Sequence, residues 1–100
     1  MAVVEISIVP LGTGSTSLSY YVAACEKELQ NHSKDLYYEL TAMGTIIEGD
    51  LDCILAVIRR LHEVPFKKGA LRVSTHIKID DRRDKVGSIT QKVKSVKDKL

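Results

Sequence analysis

The sequence predicts an α+β fold in which a four-stranded antiparallel sheet carries two helices on one face and is followed by a C-terminal helix. Two segments alternate apolar and polar residues with the period of a half-buried strand, and others repeat apolar residues at helical spacing. With 100 residues and 44% hydrophobic content, the chain is long enough for one modest core. We therefore expect a single domain over residues 1–100, with residues 83–100 as a helical extension used for assembly.

The first strand and the first helix are predicted near the N-terminus. Residues 3–9 alternate, with apolar side chains on one side and Glu5 and Ser7 on the other. Pro10 is expected to end this strand, and a loop rich in Gly, Ser and Thr follows it. Apolar residues then recur at helical spacing, which predicts a helix from residue 18 to about residue 32.

The middle of the chain predicts a hairpin, a second helix and a fourth strand. Residues 37–41 and 45–48 are short β-rich segments separated by a turn. Asp50 is a good N-cap for a helix with a wide apolar stripe, which Pro65 is expected to end or kink. Residues 71–80 alternate again. The order β-α-β-β-α-β is the split βαβ pattern of ferredoxin-like folds, with both helices on one face and the other face open.

The last segment combines basic charge with a short apolar seam. Residues 82–100 hold seven Lys or Arg and two Asp, whereas the whole chain has a net charge of +2. The seam repeats at intervals of three and four and consists of Val86, Ile89, Val93, Val96 and Leu100. Because so short a helix is marginal in water, we expect it to dock on its own sheet or on a second subunit.

Composition excludes several classes of protein. Two cysteines do not form a disulfide framework, so Cys25 and Cys53 are interpreted as free thiols on apolar helix faces. No apolar stretch approaches the length of a membrane span, and no signal-peptide pattern is present, which indicates a cytoplasmic protein without a membrane partner. Five aromatic residues and no Trp argue against nucleic-acid binding by stacking. The three histidines have no metal-ligand spacing, so no metal is expected.

The sheet face opposite the helices is predicted to be polar. Strand alternation places eight residues there: Glu5, Ser7, Tyr37, Glu39, Thr41, Ser74, His76 and Lys78. Glu48 belongs most naturally on the same face, with Ile46 beside it. Carboxylates on a sheet face that another subunit covers need a cationic partner, so this face predicts oligomerisation and a polar pocket.

Several motifs resemble the small thiamine-binding protein family. They occur in order along nearly the whole chain, as residues 10–14 (PLGTG), 43–45 (MGT), 47–52 (IEGDLD), 72–73 (RV), 77–82 (IKIDDR) and 92–96 (KVKSV). The resemblance implies a ferredoxin-like subunit that assembles as a dimer of dimers. It also implies binding of thiamine or its hydroxymethylpyrimidine half, without catalysis and without a further cofactor.

The motifs suggest which residues bind such a ligand. Glu48, Thr45 and the Gly12–Thr13 loop lie within matching motifs, so we expect the Glu48 carboxylate to accept from the amino group or pair with the thiazolium cation. Ser7 and His76 join the predicted site through strand alternation alone. Ile46 or Ile47 would form an apolar floor.

One other function stays open from the sequence, and two more are disfavoured by it. The second hypothesis is a structural or regulatory oligomerisation module, in which the open face and the last helix serve assembly alone. An enzyme of the same fold, such as an acyl-phosphate hydrolase, would need an arginine in a glycine-rich anion loop, and residues 12–17 contain none. An RNA-binding sheet would need exposed aromatics on its central strands, which are missing here as well.

Overall fold

A computed structural model describes residues 1–14, 18–32, 34–84 and 89–100, with Ile89 through its backbone alone. The elements follow the order β1 (Ala2–Leu11), α1 (Ser19–His32), β2 (Tyr37–Thr41), β3 (Gly44–Gly49), α2 (Leu51–Lys67), β4 (Arg72–Asp81) and α3 (Ile89–Asp98). The sheet is antiparallel with the strand order β2-β3-β1-β4, which confirms the predicted ferredoxin-like α+β fold. Val86 of the predicted seam lies outside the described residues.

One hydrophobic core joins both long helices to the same face of the sheet. Alternate residues of β1, with Ile47 of β3, point into it and are almost fully buried. Leu29 of α1 and four residues of α2 pack against them, and Ile54 is the most deeply buried of the four. Asp50 caps α2, because its carboxylate accepts a hydrogen bond from the backbone N–H of Cys53.

Both prolines lie inside elements that they were expected to interrupt. β1 continues through Pro10 to Leu11. At Pro10 the strand pairs with β4 but no longer with β3, and a strand that is paired on one side alone tolerates proline. Pro65 was predicted to end or kink α2, and it does not end the helix, which continues to Lys67. A proline in a helix leaves the carbonyl four residues earlier without its N–H donor. That carbonyl belongs to Leu61, and the Cys25 thiol donates to it across 3.8 Å.

The third helix lies on the open face of the sheet. The Lys92 ammonium pairs with the Asp80 carboxylate of β4. One side of α3 borders a cavity with Val3 and Asp80, and the other borders a cavity with Glu39 of β2. Val93 and Val96 remain about half exposed, so the intramolecular docking of α3 leaves much of its apolar seam in contact with solvent.

Candidate functional site

The open face arranges its polar residues in three rows that cross the sheet. The first row contains Tyr37, Glu48, Val3 and Asp80, the second contains Glu39, Ile46, Glu5 and Lys78, and the third contains Thr41, Gly44, Ser7 and His76. This register places Glu48 on the open face beside Ile46, as the sequence predicted. It also separates Glu48 from Ser7 and His76, because four residues along a strand span about 13 Å.

The same register divides the predicted site between the two faces of the sheet. Thr45 pairs with Ile6 and Leu40, and these three side chains point toward the helices. Thr45 and Glu48 therefore cannot surround one small ligand, contrary to the interpretation drawn from the sequence. Alternation reverses the face at every residue, so two positions three apart in one strand must point to opposite sides.

A cavity of about 290 Å³ opens where the hairpin of β2 and β3 ends. Beyond the pair of Ile6 with Thr45, β1 continues to Leu11 without a hairpin strand beside it, which leaves a notch in the sheet. The wall is formed by residues 6–9 of β1, residues 40–45 of the hairpin, Leu18 before α1, Val22, Cys25, Glu26 and Leu29 of α1, and Leu61 of α2. Two predicted site residues, Ser7 and Thr45, thus border one largely apolar cavity.

Gly44 keeps the hairpin close to β1 at this notch. A Cβ atom at this position would lie 2.7 Å from the carbonyl oxygen of Ile6, closer than real Cβ atoms approach. The glycine of the MGT motif is therefore required by close contact between backbones, and it places the neighbouring Thr45 at the cavity wall. Gly12, with φ +70°, uses the left-handed region to turn the chain out of β1 toward Leu18.

The carboxylate of this cavity belongs to Glu26, which the sequence analysis did not select. Its Oε1 atom is inaccessible to solvent and has no hydrogen-bond partner among the described residues. Burial raises the pKa of the Glu26 carboxyl, while a hydrogen bond with the Thr45 side chain lowers it in part by stabilising the charged form. An acceptor buried without a partner is uncommon in native proteins and costs about 1–3 kcal/mol.

The thiol of Cys25 borders the same cavity in its protonated form. Burial raises its pKa to about 11, and the charges of Glu26 and Glu28 add to the rise. A thiol that stays protonated at neutral pH is a poor nucleophile but can donate to the Leu61 carbonyl. Cys53, predicted on an apolar helix face, is exposed instead. The structure thus assigns Cys25 a packing role.

The remaining predicted site residues lie apart from the Glu26 carboxylate. Glu48 is half-buried between Val3 and Tyr37 in the first row. His76 is exposed on β4, opposite Ser7. Gly12 and Thr13 follow β1 and do not border the cavity. Among the described residues, no group of three or more His, Cys, Asp or Glu is arranged to hold a metal ion.

The spacing of apolar residues in helix α1 could have identified Glu26 from the sequence. This residue lies four positions after Val22 and three before Leu29, which places it on the apolar stripe that faces the sheet. A charged residue within such a stripe predicts either a buried pair or a binding group.

None of the three described helices has the length and apolar character needed to cross a membrane.

The fold recurs in solved structures. The hypothetical protein MJ1052 of Methanocaldococcus jannaschii superimposes with a TM-score of 0.84 and 40% identity, over 96% of this chain and 95% of that one. A Thermotoga maritima protein, for which a role in thiamine biosynthesis or salvage is proposed, gives a TM-score of 0.77 over 95% and 97% of the two chains. The latter is 20% identical, so this likeness shows a shared fold alone.

Sequence relatives extend over nearly the whole chain. The UPF0045 protein YqgV of Bacillus subtilis is 46% identical over 98 residues, which cover 96% of this chain and 94% of that protein. A UPF0045 protein of Methanothermobacter thermautotrophicus is 44% identical over 101 residues and covers both chains completely. The family model described as thiamine-binding protein matches residues 4–97. The chain therefore belongs to the thiamine-binding protein family.

Proposed function

We propose that this protein binds thiamine or its hydroxymethylpyrimidine half in the cavity between α1 and the β2–β3 hairpin, without catalysing a reaction. The observation that carries the proposal is the Oε1 atom of Glu26, which has no hydrogen-bond partner among the described residues and belongs to a side chain in a mostly apolar wall. Small-molecule sites commonly combine such apolar walls with a few polar groups that orient the ligand. Membership of the thiamine-binding family supports the choice of ligand.

The chemistry of the ligand matches the groups at the cavity. The aminopyrimidine ring offers amino hydrogens as donors and ring nitrogens as acceptors, and the thiazolium ring carries a permanent positive charge. The Glu26 carboxylate accepts from the amino group or pairs with the cation, while the hydroxyl of Thr45 complements a further polar atom of the ligand. Oε1 is shielded from solvent, so the proposed contact requires the Glu26 side chain to rotate toward the ligand.

Isothermal titration with thiamine and hydroxymethylpyrimidine tests this site. Glu26→Met removes both acceptor oxygens and keeps helix propensity, so the affinity should fall by about ten- to a hundredfold, as expected for a hydrogen bond to a charged group. The matched control is Glu28→Met, two residues along α1, where the side chain pairs with His32 instead. The control should bind like the wild type.

Two results would count against the cavity. No binding by the wild-type protein at millimolar ligand would refute the proposed function. Binding that survives Glu26→Met but is lost in Glu48→Gln would move the site to the first row of the open face, where the sequence analysis expected it. Circular dichroism of each variant checks that the fold is retained.

We further propose that the protein is a cytoplasmic homo-oligomer, arranged as a dimer of dimers. The free thiols of Cys25 and Cys53 agree with a reducing compartment. β4 is an edge strand of ten residues whose Ile77 and Ile79 are nearly half exposed, and such an edge is a template for pairing with another chain. Sedimentation velocity measures the assembly directly, and a monomer at micromolar concentration would contradict it.

An oligomerisation module without a dedicated ligand is the second candidate. The half-exposed Val93 and Val96 of α3 favour it, because an apolar seam at the surface suits contact with a partner. Truncation from Asp84 onward separates the two functions. A smaller assembly that still binds thiamine supports a distinct ligand site, whereas assembly without any ligand binding in the full chain supports the module.

A further inference from the structure

We infer that the cavity discriminates against phosphate: it accepts the free aminopyrimidine alcohol and rejects its phosphate ester. This inference rests on the proposed function and names the form of ligand that the site selects. It follows from the charge of the wall, in which the Glu26 carboxylate is set among apolar side chains and hydroxyls.

The cavity presents a negative charge where a phosphate would need a positive one. Among the described residues of the wall, Glu26 is the acidic group and no Lys, Arg or His is present. Burial raises the pKa of the Glu26 carboxyl, and a hydrogen bond with the Thr45 side chain offsets part of this rise. Phosphate sites in proteins are instead built from Arg, Lys and backbone N–H groups.

Ligand geometry decides how strongly this charge acts. In hydroxymethylpyrimidine the hydroxyl is one methylene from the ring, so an ester phosphate must enter the cavity together with the ring. A phosphate monoester carries a charge of about −1.5 to −2 at pH 7. Two like charges a few ångströms apart in a partly dehydrated cavity repel strongly. In thiamine the alcohol lies beyond the second ring, so a phosphate there reaches toward solvent and is penalised less.

The experiment compares four ligands on the full chain by isothermal titration at pH 7.5. Hydroxymethylpyrimidine should bind at least about tenfold more tightly than its phosphate, and thiamine should exceed thiamine monophosphate by a smaller factor. Equal or tighter binding of hydroxymethylpyrimidine phosphate would overturn the inference while leaving the proposed function intact. No binding of either unphosphorylated ligand would overturn both.

A charge-neutral variant assigns the effect to Glu26. Glu26→Gln keeps the shape and one acceptor oxygen, so the preference for the free alcohol should shrink at least threefold as the repulsion is removed. Glu28→Gln changes the net charge by the same amount, but Glu28 lies outside the cavity wall, so this variant should leave the preference for the free alcohol unchanged. An unchanged preference in Glu26→Gln would refute the role of this carboxylate, and an equal loss in both variants would attribute the effect to net charge.

Discussion

Replacing Glu26 by methionine should stabilise the unliganded protein. Oε1 of Glu26 is buried without a partner among the residues that the structure describes, and leaving such an acceptor unsatisfied costs about 1–3 kcal/mol of folding free energy. The substitution also breaks the hydrogen bond with Thr45, a loss of about 0.5–1.5 kcal/mol. Helix propensity is nearly equal for the two residues. The difference is a net gain of about 1 kcal/mol, or a rise in Tm of about 4–8 °C for a domain of this size.

The gain should depend on pH in a direction set by the pKa of Glu26. Its pKa in the folded chain is raised above the ordinary value of 4.5. The protonated Glu26 carboxyl therefore contributes to the free energy of unfolding in full below pH 4.5. This contribution is lost as the pH rises through the pKa of the folded state. Methionine does not titrate, so the advantage of Glu26→Met should be small at pH 4 and larger at pH 7.

Urea unfolding at pH 4 and pH 7, followed by circular dichroism, measures both effects. Glu28→Met serves as the control, because Glu28 has a helical neighbour in His32 and should lose no more than about 0.5 kcal/mol. Adding Thr45→Val to Glu26→Met removes the hydroxyl left without its partner and should raise stability further. A Glu26→Met protein less stable than the wild type at pH 7 would refute the argument, because the carboxylate would then be satisfied in the folded chain.

Three further predictions concern the surroundings of the cavity. A thiol reagent such as DTNB should titrate the exposed Cys53 in the native protein and reach Cys25, whose pKa is raised to about 11, after unfolding; equal rates would contradict this. Gly44→Ala should lower the free energy of unfolding by about 1–3 kcal/mol, since its Cβ would lie 2.7 Å from the Ile6 carbonyl oxygen, and an unchanged urea midpoint would disprove the close contact. Leu29→Ala should cost about 2–5 kcal/mol in the same assay, and a loss below 1 kcal/mol would show that α1 is not anchored there.

The fold was largely predictable because the elements follow clear periods. Residues 3–9 and 71–80 alternate, and β1 and β4 pair along their full length in the register that this alternation requires. The ends of elements were less predictable where tertiary contacts compensate for a local defect. α2 continues past Pro65, and the Cys25 thiol of α1 donates to the Leu61 carbonyl that the proline leaves without an N–H donor. No pattern within α2 itself carries that information.

Some residues of the candidate cavity were selected from the sequence, but their grouping in space was not predicted. Ser7 and Thr45 were selected from the sequence, and both border the cavity. Glu48 was grouped with them because all three lie in matching strands or motifs, yet the register puts Glu48 about 13 Å from Ser7 along the sheet. Glu26 comes from a helix, and its approach to Thr45 depends on how α1 packs, which strand alternation does not determine.

The packing of α1 is consistent with the binding role proposed for Glu26. α1 fully buries one of its described residues, Leu29, whereas α2 buries six. A helix held by so few contacts can leave space against the sheet, and the notch beyond Thr45 provides that space. A ligand that fills the cavity would contact α1 and would also provide a hydrogen-bond donor for Glu26. Ligand binding and the packing of α1 against the sheet should therefore be thermodynamically coupled. Hydrogen exchange measures this coupling: thiamine should slow exchange in α1 more than in α2, and equal protection of both helices would show that α1 is already held as firmly as the core.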